Sequence, residues 1–464
     1  MKKLLYMLAA ALVCALGYGV YYIDTALPIG NGYAAKYVCS QVFIDGRDPV
    51  YVFEKEVKPT NILFSLVGVD VDYANKSVTG KALGFRKPLT AVYREGLGCT
   101  LAIDVTREEL VNQAAGLPSR NLPDAGSPWP KGEKVAPAVP AGVDGAKIAA
   151  ALDAIFTEPA DGPPNNTQAA VVVYNGAIIA ERYGQGYTPS MPILGWSMTK
   201  SVTNALTGIL VRQKRLDIMK PAPVAAWRKP GDPRGKITPD QLLRMSAGLD
   251  FVEIYGPHQD VTDMLYGARS MSDYAAAKSL RAEPDHEWYY SSGTANIVAR
   301  IIRDANGGTL AGAYAFARRE LFDRLGMCSA IIEPDASGSF VGSSYMFATP
   351  RDWARVGQLF LNDGVWNGER ILPDGWVKYS TTPTPLAPKG QYGAHFWLNA
   401  GTKGYPEDRT FPSLPADMYY MSGYNGQIVA MFPSKRLVVV RMGVTHDEEW
   451  GEEKFLKSVY DSVR

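Results

Sequence analysis

The sequence predicts an α+β fold: an antiparallel sheet flanked by helices, a helical subdomain beside it, and a small β-rich module in front. Two hairpin patterns, far apart in the chain, lead to this prediction. VVVYNGAIIAERY holds two strand-like runs joined by Asn175-Gly176, the strongest short hairpin signal. Near the carboxyl end, QIVAMF and RLVVVRM flank the turn Pro433-Ser434-Lys435. Mainly helical patterns lie between them, so one sheet built from both ends of this region is expected.

The composition excludes several classes of protein. The 464 residues include 48 Lys+Arg and 47 Asp+Glu, a net charge of +1 that provides no basic field for nucleic acid. The length suggests two or three domains. The four His have no HxH or HExxH spacing, which argues against a metal-dependent mechanism, and no cofactor is expected. Chemistry is therefore expected from Ser, Lys, Tyr and carboxylates.

Residues 1–23 are predicted to be a signal anchor or a signal peptide. The run LLYMLAAALVCALGYGVYYI at 4–23 carries no charge and follows Lys2 and Lys3. Twenty apolar residues can span a bilayer, whereas Ala15 and Gly17 have the spacing that a signal peptidase accepts. We expect an extracytoplasmic protein, held at the periplasmic side of the inner membrane if uncleaved and secreted if cleaved.

Residues 24–116 are predicted to form the small β-rich module. In VGVDVDYANKSVTGKAL, an Asn-Lys pair separates two alternating runs. Cys39 and Cys99 each lie in a strand-like run of this module, and export would allow them to form a disulfide; two buried thiols are the alternative. Residues 117–142 are proline-rich and are predicted to be a linker. The main domain, 143–464, begins with the helical pattern VDGAKIAAALDAIFTE.

The segment GWSMTKSVTNALTGIL is the first candidate for catalysis. Ser197 precedes an apolar-periodic run, and Lys200 follows three residues later on the same face. A hydroxyl is a poor nucleophile, but an amine whose pKa is lowered by burial can take its proton. A helix-capping Ser with a solvated Lys is the alternative. No G-x-S-x-G elbow is present, which excludes an α/β-hydrolase.

Two further segments add candidate groups. EWYYSSGTANIVARII places Tyr290 and Ser292 in a short extended stretch before a helix, where a phenol near a Lys ammonium would have a lowered pKa and could move protons. MYYMSGYNGQIVAMF places Gly426 at the start of a strand. The N–H of Gln427, on what is predicted to be an edge strand, could join that of Ser197 as an oxyanion donor.

Together, these three segments resemble the serine β-lactamase and penicillin-binding-protein superfamily, in its class C-like branch with esterases and 6-aminohexanoate-dimer hydrolases, over roughly residues 143–464. The resemblance implies that Ser197 is acylated, that Lys200 is the amine beside it and that Tyr290 is the Tyr of Y-x-N. It also implies that Tyr424-Asn425-Gly426 corresponds to the K-T-G strand.

Two positions depart from the β-lactamase pattern. Ser292 stands where those enzymes have Asn, and Tyr424 stands where they have the Lys that helps bind a substrate carboxylate. Recognition of β-lactams or D-Ala-D-Ala is therefore disfavoured, whereas acyl transfer is not. The leading segment also resembles the amino-terminal extension of exported members of this branch.

The sequence as a whole predicts a serine hydrolase that cleaves a small-molecule ester or amide through an acyl-enzyme on Ser197. A β-lactamase or D,D-peptidase acting on cell-wall peptides is the first alternative. A catalytically retired member that binds or regulates is the second. The intact Ser197, Lys200 and Tyr290 argue against that last alternative, since a binding protein has no need for all three.

Overall fold

The structure is a computed structural model that describes residues 2–122, 124–135, 140–446 and 449–464. The strands in these ranges are β1 (Val67–Asp72), β2 (Ser77–Ala82), β3 (Arg86–Arg94), β4 (Gly98–Leu101), β5 (Thr167–Tyr174), β6 (Ala177–Tyr183), β7 (Ile193–Leu194), β8 (Ile331–Ile332), β9 (Met346–Ala348), β10 (Val365–Trp366), β11 (Glu369–Arg370), β12 (Trp397–Leu398), β13 (Tyr419–Gly423), β14 (Gln427–Phe432) and β15 (Leu437–Gly443).

The same ranges contain α-helices of very different length. They are α1 (Lys2–Phe43), α2 (Pro49–Val52), α3 (Arg107–Asn112), α4 (Gly145–Phe156), α5 (Thr199–Arg212), α6 (Pro239–Leu243), α7 (Asp260–Gly267), α8 (Met271–Ala276), α9 (Ser292–Ala305), α10 (Leu310–Ala317), α11 (Asp323–Leu325), α12 (Pro350–Leu361), α13 (Trp376–Ser380) and α14 (Glu452–Tyr460).

The main sheet is antiparallel and has the strand order β12-β13-β14-β15-β5-β6. β15, from the end of the chain, pairs with β5, from the start of the domain, with Val439 opposite Val172. Asn175 and Gly176 both have positive φ, 49° and 79°, as a two-residue hairpin turn requires. The predicted α+β fold, with one sheet built from both ends of the domain, is confirmed.

Helices cover both faces of this sheet. Side chains alternate along a strand, so Val438 and Val440 of β15 pack in one apolar cluster with α12, whereas Val439 packs in a second cluster with α4 and α14. The middle strands are buried along their whole length for this reason. The helical subdomain, which includes α7, α8 and α9, lies on the α12 side with α5.

The structure corrects one expectation for the leading segment. Cys39 lies in α1, not in a strand, and α1 continues unbroken from the apolar residues 4–23 to Phe43. The Tyr and Val residues around Cys39 favour strands, but burial on every side by the β1–β4 sheet and the main domain overrides that preference. By length and composition α1 can cross a membrane.

After α1, the leading segment contains α2, several short helical turns, the antiparallel sheet β1-β2-β3-β4 and α3. The predicted turn lies between β1 and β2. A disulfide joins Cys39 of α1 to Cys99 of β4. Glu333 of the main domain binds the leading segment. Its carboxylate forms an ion pair with Lys36 and accepts hydrogen bonds from Ser40 Oγ at 2.8 Å and from the Cys99 N–H at 2.6 Å. The described residues of 117–142 form no helix, in agreement with their prolines.

Candidate active site

Ser197 is held at a tight turn that opens α5. It lies in the 3₁₀ turn Trp196–Met198, and Trp196 has a φ of 47°, a left-handed conformation that is strained for a bulky side chain. Packing holds the conformation: the Trp196 ring is buried and stacks on Tyr37 of α1 with centroids 5.9 Å apart. The turn leaves Ser197 half-buried beside a cavity.

Lys200 lies one turn further along and is 1% exposed. Its Nζ is 3.0 Å from Ser197 Oγ, 3.1 Å from Ser292 Oγ and 3.0 Å from the Ser343 carbonyl oxygen. Burial lowers the pKa of Lys200 to about 8, and the nearby charge of Glu253 opposes that effect. About a tenth of the amine is therefore neutral at pH 7, far more than for an ordinary lysine.

The three contacts of Lys200 define where its lone pair points. The Ser343 carbonyl can only accept, and Ser292 Oγ gives its own proton to Glu253, so it also accepts from Nζ. A neutral amine has two N–H donors, which these two acceptors use. Its lone pair is then left for the proton of Ser197 Oγ, which is the arrangement that a general base needs.

Tyr290 lies beside both Ser197 and Lys200. Its hydroxyl is hydrogen-bonded to Ser197, and Lys200 Nζ lies 4.7 Å from the centre of its ring. We expected a lowered pKa for this phenol, but the pKa of Tyr290 is raised, because burial disfavours the phenolate more than its neighbours stabilise it. Tyr290 is therefore protonated at neutral pH, and it is suited to donate a proton.

Glu253 is a site residue that sequence reasoning missed. Its carboxylate accepts from Ser292 Oγ at 2.5 Å and from the Ser292 N–H at 2.7 Å. Burial raises the pKa of Glu253, and the charge of Lys200 opposes the rise. The only sequence signal was one carboxylate in the apolar run DFVEIY. Ser292 itself is fully buried beside Lys200, and its predicted contact with the substrate stays a prediction.

Tyr424, Asn425 and Gly426, which were expected to match the K-T-G strand, lie just after a strand and not in one. The strand β13 ends at Gly423, and Tyr424–Gly426 form the turn after it, with φ of 65° at Asn425 and 78° at Gly426. β12 pairs only with the first two residues of β13, so the rest of β13 is the edge of the sheet. A Cβ on Gly423 would lie 2.2 Å from the Gly195 carbonyl oxygen, so this edge contacts the turn that holds the nucleophile.

The predicted edge position of Gln427 is wrong. Gln427 begins β14, which lies between β13 and β15, and its side chain donates to the carbonyl oxygens of Gly443 and Tyr424. Asn425 is buried, and its carbonyl accepts from the Thr445 N–H at 3.2 Å. Gln427 and Asn425 therefore stabilise this turn, and contact of either residue with a substrate stays a prediction.

Tyr424 lies at the mouth of a cavity of about 170 Å³ that Ser197 also lines. Its ring packs edge-on against Trp196, with centroids 5.6 Å apart, and stacks on Tyr255 at 6.3 Å. The opposite wall comes from α1 and from the segment that contains Phe64. None of the described residues that line this cavity carries a charge.

Comparison with known proteins agrees with this geometry. The family model for Beta-lactamase matches residues 167–454. The 6-aminohexanoate-dimer hydrolase of Paenarthrobacter ureafaciens is 26% identical over 262 residues, which are 51% of this chain and 66% of that protein. The chain thus spans just under two thirds of the length of this relative.

Solved structures show the same fold. A Bacillus anthracis structure named as a provisional 6-aminohexanoate-dimer hydrolase has 25% identity and a TM-score of 0.53, covering 64% of this chain and 78% of its own. A family VIII carboxylesterase has 16% identity and a TM-score of 0.52, and the match covers 71% of this chain and 99% of the esterase. At this identity the likeness shows the fold alone. Since the family match includes more than half of the residues, the chain belongs to the Beta-lactamase family.

Proposed function

We propose that the protein is a serine hydrolase that cleaves an ester or amide through an acyl-enzyme on Ser197. One observation carries the proposal: the buried Lys200 Nζ lies 3.0 Å from Ser197 Oγ and has a pKa of about 8. A lysine with these properties can take the serine proton as attack begins. The names of the relatives, a 6-aminohexanoate-dimer hydrolase and a carboxylesterase, agree with amide or ester substrates.

In the acylation step, Ser197 Oγ bonds to the substrate carbonyl carbon, and its proton moves to neutral Lys200. The bond between that carbon and the leaving oxygen or nitrogen then breaks. Tyr290 is suited to protonate the leaving group, because its hydroxyl contacts Ser197 and its raised pKa keeps the proton available. Lys200 can restore the Tyr290 proton, which leaves the amine neutral again.

The developing oxyanion needs preorganised donors. The N–H of Ser197 is one candidate. In place of the expected Gln427 N–H, we assign the second donor to the edge of β13, which reaches the nucleophile turn at Gly423. In deacylation, a water molecule attacks the acyl carbon while its proton moves to Lys200. The bond from that carbon to Ser197 Oγ then breaks, and Oγ takes the proton back from Lys200, which releases the acid and leaves the amine neutral.

We also propose that the protein acts outside the cytoplasm, anchored by residues 4–23. Two features support this location. α1 carries an exposed apolar half that can cross a membrane, and the Cys39–Cys99 disulfide is favoured in an oxidising compartment. The proposed division of the chain into a leading module (24–116), a linker (117–142) and a hydrolase domain (143–464) agrees with the match at 167–454.

A fluorophosphonate probe tests the nucleophile. The parent protein and the variant Ser190→Ala, which removes an exposed serine hydroxyl seven residues before Ser197, should both be labelled. The variant Ser197→Ala should not be labelled and should hydrolyse no p-nitrophenyl ester, while its circular dichroism spectrum stays unchanged. Peptide mass spectrometry that finds the adduct on another serine would refute the assignment, and a complete absence of labelling would favour a binding or regulatory member.

A further inference from the structure

α1 changes its surroundings sharply at residues 24–26. No charged residue lies between Lys3 and Asp24, and the described side chains in this half, such as Leu8, Leu16 and Tyr21, are exposed. Twenty helical residues rise about 30 Å, the thickness of the hydrocarbon core of a bilayer. From Ala26 onward the same helix is largely buried in the globular part. The exposed apolar half therefore ends at the surface of the globular part, at Asp24.

Charged and apolar side chains lie close to Asp24, where the exposed half of α1 meets the globular part. The Asp24 carboxylate pairs with Arg86 at 2.5 Å and with Lys87 at 2.6 Å. At the tip of the same β2–β3 hairpin, Leu83 and Phe85 are 55% and 75% exposed. Basic and aromatic side chains beside an apolar helix are typical of a membrane–water interface. The hairpin tip thus lies where the membrane surface would be.

The cavity of Ser197 begins at the same level. Its wall includes Ala26, Leu27 and Gly30, which occupy the two turns of α1 directly after Asp24. Six residues of helix rise about 9 Å, so this wall lies within roughly that distance of the level of Asp24. The loop after Tyr255 also reaches this level, since His258 Nε2 lies 2.9 Å from Thr25 Oγ1.

The rim and the size of the cavity indicate its ligand. Ile62, which is 86% exposed, and the exposed Ile254 and Tyr255 lie in or next to the lining segments, and such a group of apolar side chains is unfavourable in water. The volume of about 170 Å³ is close to that of an apolar cavity of about 150 Å³ that holds benzene. It therefore accommodates about six carbon atoms, and a longer chain would extend past the rim.

We propose that the substrates are acyl esters of membrane lipids, and that uncleaved α1 holds the cavity against the bilayer so that the acyl chain enters from it. The inference rests on the proposed serine hydrolase function. Ser197 Oγ bonds to the acyl carbon, the bond to the glycerol oxygen breaks, and that oxygen takes the proton. Water then cleaves the acyl-enzyme to a fatty acid and regenerates Ser197.

A chain-length series tests the cavity in the full-length protein. Each CH₂ that becomes buried strengthens binding by a factor of roughly four. The value of kcat/KM should therefore rise at least tenfold from p-nitrophenyl acetate to p-nitrophenyl hexanoate. Gly30→Leu should lower the hexanoate-to-acetate ratio at least tenfold, because a Cβ there lies 3.7 Å from Phe64 and Val67 and the side chain extends into the cavity. Leu27→Ala enlarges the cavity and should move the optimum to longer esters.

Gly19→Leu is the matched control. Gly19 lies on the same helix with no atom within 4 Å of its Cβ position, so the ratio should not change. A parent protein that hydrolyses the acetate but shows no preference for the hexanoate would overturn the inference and leave the proposed function intact. A parent protein that hydrolyses neither ester and takes no fluorophosphonate label would instead refute the proposed function.

A vesicle assay tests the source of the acyl chain. The full-length protein is reconstituted in vesicles of 1-palmitoyl-2-oleoyl-phosphatidylglycerol, and released fatty acid is measured by mass spectrometry. Release should occur with the parent and Gly19→Leu, fall at least tenfold with Gly30→Leu and stop with Ser197→Ala. Rapid cleavage of soluble hexanoate esters without release from the vesicles would overturn the bilayer as the source.

Discussion

Glu253 reaches Lys200 through a single hydroxyl group. Ser292 Oγ accepts a hydrogen bond from Lys200 Nζ at 3.1 Å and donates one to Glu253 Oε1 at 2.5 Å. The negative charge of Glu253 favours the ammonium form of Lys200, whereas burial favours the neutral amine, and burial dominates. Burial and the charge of Glu253 together thus set the pH at which the Lys200 amine can accept a proton from Ser197.

The pH dependence of hydrolysis should follow Lys200. Its pKa is lowered to about 8, and only the neutral amine accepts the Ser197 proton, so the active form is present above that pH and is lost as the pH falls. We expect kcat/KM for a p-nitrophenyl ester to increase about tenfold per pH unit below about 8 and to level off above it. A profile that is flat between pH 6 and pH 9 would show that Lys200 is not the base.

Replacing Glu253 with glutamine should move this profile to lower pH. The variant Glu253→Gln removes the charge that raises the pKa of Lys200, and a glutamine oxygen can still accept from Ser292. The exposed Glu283, in the segment before Tyr290, provides the matched control, because Glu283→Gln should leave the profile unchanged. A shift of the Glu253→Gln profile to higher pH would contradict this role.

Lys200 and Tyr290 should act as one unit. Lys200→Ala and Tyr290→Phe should each lower kcat by at least about a hundredfold, the usual scale of general acid–base catalysis. Because both side chains contact Ser197, the double variant should resemble the slower single variant rather than the product of the two losses. Steady-state kinetics of the three variants measures this, and multiplicative losses would place the residues on separate proton paths.

Neutral substrates should be preferred to anionic ones. No described residue that lines the cavity is charged, so a substrate carboxylate lacks a charge-assisted hydrogen bond of about 1.5–3 kcal/mol. We expect a much higher kcat/KM for short p-nitrophenyl esters than for nitrocefin or a D-Ala-D-Ala peptide. The variant Tyr424→Lys should reduce this difference in kcat/KM between neutral and anionic substrates, whereas Tyr424→Phe should leave it unchanged. Nitrocefin hydrolysis as fast as that of the best ester would favour the β-lactamase alternative.

The disulfide should contribute measurably to stability. Cys39 and Cys99 are 60 residues apart, and closing such a loop stabilises a fold by roughly 4 kcal/mol in the chain-entropy model. The double variant Cys39→Ser/Cys99→Ser should lose about this much free energy of unfolding in urea titration. Cys328→Ser, at a half-buried free thiol, should lose far less. Recovery of both cysteines as alkylated thiols from protein expressed in the periplasm would disprove the bond.

Local patterns in the sequence determine the main sheet and the spacing of the catalytic groups. Asn175-Gly176 predicts its hairpin because both residues tolerate positive φ, and the three-residue spacing of Ser197 and Lys200 puts both on one side of a helix start. These features depend on backbone conformation over a few residues, so the sequence alone is sufficient to predict them.

Only the tertiary structure decides which distant residues complete the site. Glu253 and Ser292 are 39 residues apart, and nothing in either segment specifies their contact. α1 forms a cavity wall only because its second half is buried against the main domain, which overrides the strand preference of the residues around Cys39. Such contacts depend on how whole elements pack, and local periodicity contains no information about that packing.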